Sequence, residues 1–204
     1  MFIFGKRKQK QPTKKSDWPA LSTIVRAEER LRKRGDVTPA RTAGVLYRHT
    51  DENPYLKDLD RELRGALYTG QGATRTGYRI QDDPAGGGLR WVILEDASFA
   101  DLTSSVYTAG NAMAANGAAD RMLAAVFLIS FTHGVREGDS RSLLRSYWMF
   151  RYERHAFYPF VPTGQKEGER DRPSELQLAR ALRREGLEVE GSLEQWRGIW
   201  GIPF

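Results

Sequence analysis

The sequence predicts an α+β domain, in which an antiparallel sheet carries its helices mainly on one face and is preceded by helices and by a disordered basic tail. Three observations lead there. Apolar residues recur at three- and four-residue spacings near residues 21–31, 56–67, 99–113 and 178–182, the period of a helix face. Runs at 77–81, 89–94, 122–132, 146–154 and 156–161 are alternating or continuously apolar, as strands are. Several of these runs are separated only by short turn-forming segments, which connect antiparallel strands and are too short for parallel crossovers.

The chain has 204 residues, 40% of them apolar and 11% aromatic, enough for one well-filled core. We therefore expect a single α+β domain over residues 16–204, with a tail at 1–15. In chain order, Asp17 suits a helix cap and Pro19 a first turn, Leu21, Ile24, Val25 and Leu31 form a stripe, and Gly35 is a stop. Ala43 to Arg48 is a short strand. Asn53-Pro54 opens a helix with Leu56, Leu59, Leu63 and Leu67 on one face, ended by Gly70 and Gly72. Gly77 to Gln81 and Leu89 to Leu94 flank the turn DDPAGGG and form a hairpin. That turn lacks the helix and lysine of a phosphate-binding loop. Ser98 and Asp101 have capping-box spacing. The helix they open shows Phe99, Leu102, Val106, Gly110 and Met113 on one face and ends near Gly117. Gly110 in its interior suggests a close approach to another backbone. Met122 to Thr132 is almost wholly apolar, as a central strand is. Ser146 to Arg154 places Trp148, Phe150 and Tyr152 on one face, and Arg154-His155 turns the chain. Ala156 to Val161 contains Pro159, which marks an edge strand. Residues 163–172 are loop-like. Asp171 and Pro173 open the last helix, with Leu178 and Leu182 inward and Gly186 as its stop. Trp196, Trp200, Ile202, Pro203 and Phe204 should dock on the core. This order loosely resembles secretion-chaperone-like domains, which bind partner proteins.

The formal net charge is +6, and Lys6, Arg7, Lys8, Lys10, Lys14 and Lys15 supply all of it, leaving residues 16–204 formally neutral. The basicity therefore belongs to a tail and not to the domain as a whole. Phe2, Ile3 and Phe4 can enter a bilayer interface while Lys6, Arg7, Lys8 and Lys10 face anionic headgroups. Six such cations contribute on the order of 6 kcal/mol before ordering costs, and two weak signals together suffice for reversible attachment. The opening MFIFGKRKQK places its apolar residues before its charge, the reverse of a secretory signal. The longest apolar run, around Met122 to Phe131, is shorter than the roughly 18 residues of a membrane span. The chain has no cysteine, which excludes disulfides, thiolate metal sites and cysteine nucleophiles, and fits a reducing cytoplasmic setting.

Chemistry-bearing residues are sparse. His49 lies beside Asp51 and Glu52, His133 near Glu137 and Asp139, and His155 in a turn, with no spacing that favours a metal. His133, Asp139 and Ser140 could assemble a local triad, but no nucleophile elbow accompanies them. Glu95-Asp96 follows a strand and precedes a capped helix, where capping and dipole compensation account for it. No catalytic residue, metal or cofactor is assigned. The strand aromatics read as core or as a protein-binding groove, while Arg151 and Arg154 nearby keep an RNA-recognition sheet open. Partner binding is assigned to Phe157, Tyr158, Phe160, Trp196 and Trp200.

The segment AFYPFVPTG (Ala156 to Gly164), the charged loop with Arg170-Asp171, the helix SELQLARALRRE and the ending EQWRGIWGIPF resemble the C-terminal signature of the PspAB proteins. RWVILEDASFADL (Arg90 to Leu102) resembles the family's middle segment, and MFIFGKRK its apolar-basic opening, which a helix near Leu21–Val25 follows. The family has no established catalytic residues. The resemblance implies a cytoplasmic, membrane-proximal accessory protein whose partner is PspA, a bacterial phage-shock and envelope-stress protein. No small-molecule substrate or nucleic acid is expected. An RNA-binding protein using strand aromatics and the tail, and a hydrolase using His133, Asp139 or Glu95, are the alternative readings.

Overall fold

The structure is a computed structural model that describes residues 17–69, 75–133 and 142–204. The predicted tail and the glycines at 70 and 72 lie outside these residues.

The first helix, α1 (Trp18–Lys33), buries Leu21, Ile24, Ala27 and Leu31 and stops before Gly35, whose φ of 78° is left-handed. Asp17 does not cap it. The Asp17 carboxylate instead meets His155 Nδ1 at 2.6 Å, across the domain. Strand β1 (Val37–Arg48) is twice as long as predicted, because its first half contains Pro39 and a register irregularity between Pro39 and Ala43 that hides the strand pattern. The predicted second helix is two: α2 (Pro54–Lys57), capped by Asn53, and α3 (Leu59–Tyr68), parted by a non-helical Asp58. Leu56, Leu59, Leu63 and Leu67 are all buried.

Strands β2 (Gly77–Asp82) and β3 (Leu89–Glu95) form the expected hairpin. Helix α4 (Phe99–Met113) begins with Ser98 accepting from Asp101 N–H at 3.2 Å, while Asp96 accepts from Ser98 N–H at 2.8 Å. A Cβ on Gly110 would lie 2.8 Å from Tyr152 Oη and 3.0 Å from Met122 Cε. The close approach is therefore to side chains, not to a backbone as predicted. The remaining elements are β4 (Met122–His133), β5 (Ser142–Arg151), β6 (Ala156–Phe160) and α5 (Arg172–Arg184).

The six strands run β2-β3-β1-β4-β5-β6, every neighbouring pair antiparallel. Residues paired across such a sheet share a face, so the register sorts the core. Val45, Val92, Phe127, Trp148, Phe150 and Phe157 point to one side. There Phe99 of α4 packs on Phe127, and Tyr152 meets Phe150 under Gly110. Leu46, Trp91, Val126, Tyr147, Tyr158 and Phe160 point to the other side.

That second face is covered by the C-terminal strap, residues 193–204. Phe204 meets Trp91 and Tyr147, Trp200 meets Phe160, and Trp196 stacks on Tyr158. A Cβ on Gly44 would lie 2.7 Å from Phe204 Cε1, so the glycine makes room for the strap. At the outer edge, β6 is bridged by residues 188–190, with Phe157 N–H donating to Glu188 O at 2.7 Å. At Pro159, two residues on, a backbone N–H would point to the same outer edge as that of Phe157, and proline has none to leave unpaired there.

Candidate functional site

The aromatic residues assigned to a partner converge, but they face inward. Phe157, Tyr158, Phe160 and Trp196 are buried, and only the half-buried Trp200 shows at the surface. The strap closes over the sheet face that bears Tyr158 and Phe160, and Phe157 lies under the helices on the other face.

The strap is held by polar contacts as well as rings. Glu175, in the first turn of α5, is fully buried and accepts from Arg170 Nε at 2.9 Å, from Arg170 Nη2 at 2.8 Å and from Val161 N–H at 3.0 Å. Arg170 also donates to Trp196 O at 2.9 Å and sits 4.9 Å over the Phe160 ring. A buried carboxylate is tolerated only with such full pairing, so loop 161–171, α5 and the strap are set by one ion pair. Tyr158 donates to Arg197 O at 2.8 Å, and burial raises its phenol well above the ordinary value, which keeps it a donor. Trp196 Nε1 donates to Glu190 O and Trp200 Nε1 to Glu169 O, both at 3.1 Å. Tyr147 donates to Phe204 O at 3.0 Å, and Arg145 donates to the same oxygen.

What remains at the surface is a cleft of about 230 Å³ lined by Arg145, Tyr147, Pro162, Thr163, Trp200 and Ile202. It brings together a cation, an indole edge and the apolar Pro162 and Ile202, within a lining that is more polar than apolar. Close by along the strap lie the exposed Leu193 and the half-buried Ile199 and Phe204.

The other flagged residues do structural work. Glu95 is exposed and pairs with Arg79, while Asp96 accepts from Ser98 N–H and, at 2.6 Å, from Thr76 Oγ1. Both line a polar cleft of about 640 Å³ at the entry of α4, with Arg75, Asp101, Ser104 and Thr108. His49 Nε2 contacts Asp51 at 3.3 Å, and His155 lies in the β5–β6 turn with a φ of 51°. Glu137, Asp139, Ser140 and the side chain of His133 lie outside the described residues, as do Phe2, Ile3, Phe4, Lys6, Arg7, Lys8 and Lys10. Among the described residues no group of three or more His, Asp or Glu is placed to hold a metal, and no helix is long and apolar enough to cross a membrane.

Comparison with protein families matches residues 1–204, the whole chain, to PspA associated protein B. No curated protein and no solved structure matches.

Proposed function

This chain belongs to the PspA associated protein B family, and from that membership we propose that it is a non-enzymatic accessory protein of a PspA-type bacterial envelope-stress system. It works in the cytoplasm, binds a PspA-like protein, and touches the inner face of the membrane through its basic N-terminal segment. The observation that carries this reading is the family match along the full 204 residues. Two features support its parts. The Trp200 cleft is the described surface where an apolar wall, an aromatic edge and the Arg145 cation meet. The segment 1–15 joins three apolar side chains near its start to six cations and no acid, the two signals that reversible lipid attachment needs.

The test is affinity capture of the full-length protein from cells under envelope stress. A PspA-like protein should be recovered with the wild type and reduced at least tenfold with Trp200→Ala, the loss of an aromatic anchor worth roughly 1.4 kcal/mol or more. Recovery of no PspA-like protein would overturn the reading. Equal recovery with both proteins would move the contact away from the Trp200 cleft.

A further inference from the structure

Residues 16–204 are formally neutral, yet their charges are not evenly layered. Helices α1 and α5 end side by side, and both last turns are basic: Arg30, Arg32 and Lys33 on one, Arg183 and Arg184 on the other. The two ends are joined by Glu185, which accepts from Arg34 at 2.7 Å and from Arg30 at 3.4 Å. The acids here lie underneath. The Glu185 side chain is 8% exposed, whereas Arg30 and Arg34 are 55% and 49% exposed. The same order holds one turn away, where Glu28 is 5% exposed beneath an Arg32 that is 52% exposed. A carboxylate beneath a guanidinium takes part of its fork and leaves the remaining N–H groups facing water; Arg34 gives Nη2 to Glu185 and Nε to Asp36. Arg180 stands one turn before Arg184 on the same exposed face of α5. Acids that reach the surface near these helix ends include Glu29, paired with Lys33, Asp36, paired with Arg34, and Glu188, three residues beyond Glu185.

We propose that this arginine layer across the ends of α1 and α5 is a second contact for an anionic lipid surface, made by the folded body and independent of the N-terminal tail. The inference extends the proposed function's membrane contact from the tail to the domain. Guanidinium forks pair well with phosphate oxygens, and a bilayer offers many of these in one plane, so no shaped pocket is required. The layer lies on the same chain as the tail, so the two contacts reinforce each other by effective concentration.

The experiment is vesicle co-sedimentation of full-length proteins. It compares wild type, R180E/R184E, and a tail variant in which Lys6, Arg7, Lys8 and Lys10 are changed to Gln. Vesicles of phosphatidylcholine alone are set against vesicles with phosphatidylserine, at low and high salt. Arg180 and Arg184 are chosen because they are exposed and lie outside the Glu185 pairings; circular dichroism confirms folding. Each cation at such a surface is worth roughly fivefold in binding. R180E/R184E should therefore weaken binding to the anionic vesicles by about 25-fold or more at low salt, and the tail variant should retain salt-sensitive binding. Wild-type affinity in R180E/R184E overturns the layer's role, and if the tail variant alone loses binding, the tail contact stands without it. Failure of the wild type to bind anionic vesicles overturns both. Binding of single-stranded RNA in place of vesicles, lost in R180E/R184E, overturns the lipid assignment in favour of nucleic acid.

Discussion

Arg170 and Glu175 show what one buried pair can organise. Glu175 is fully buried, and Arg170 is nearly so. The Arg170 guanidinium serves the carboxylate, the Trp196 carbonyl and the Phe160 ring at once. Breaking a pair of this kind from one side costs roughly 3–5 kcal/mol, because the remaining charge stays in the interior. Arg170→Met should lower the chemical-denaturation midpoint accordingly, and should loosen Trp196 and Trp200, seen as a red-shifted tryptophan emission in the native state. An unchanged midpoint would mean that Arg172, 3.5 Å from Glu175, takes over the pairing.

At the scale of elements, the informative contact is between the ends of α1 and α5. The hydrogen bond from Arg34 holds the Glu185 carboxyl below its ordinary value of 4.5. A depressed folded-state value means that the contact stabilises the protein fully above about 4.5, and that this is lost as pH falls through the lower, folded-state value. Thermal melts between pH 6 and pH 3 should show wild type losing more stability than Glu185→Gln across that window. Parallel curves would show that the two helix ends are not coupled through this carboxylate. The same contact bears on the outward layer of arginines: Glu185 and Glu28 are covered by the cations they bind, whereas Glu29 and Asp36 stay exposed beside theirs.

For the whole molecule, the sheet is packed on both faces, by α1 and α4 on one and by the strap on the other. Trp91, Trp148 and Trp196 are buried on a strand of the hairpin, a strand near the far edge and the strap. The reading of residues 16–204 as one domain predicts a single cooperative transition, with coincident denaturation curves from backbone circular dichroism and tryptophan fluorescence. Two separated transitions would divide the domain, most naturally at the strap. Trp200 and Phe204 are only half-buried, so the strap exposes part of the aromatic surface with which it closes the core.

Most element types and their order were legible along the chain: the hairpin at Gly77–Glu95, the Ser98 cap, the apolar β4, the proline-bearing edge strand, and the stops at Gly35 and Gly186. These follow from periodicity and backbone preference, which act among neighbours in the chain. The sequence also carried family membership, in FYPFVP and the closing tryptophans. Which side chains remain outside was fixed by packing between elements far apart in the chain. Phe157, Tyr158, Phe160 and Trp196 carry the same aromatic signal whether they form a groove or a core, and the strap folded over one face of the sheet, with the helices over the other, settles it. Arg30 and Glu185 are 155 residues apart, and no local pattern links them. Burial and charge layering depend on what packs over a residue, and the chain brings that cover from far along its length.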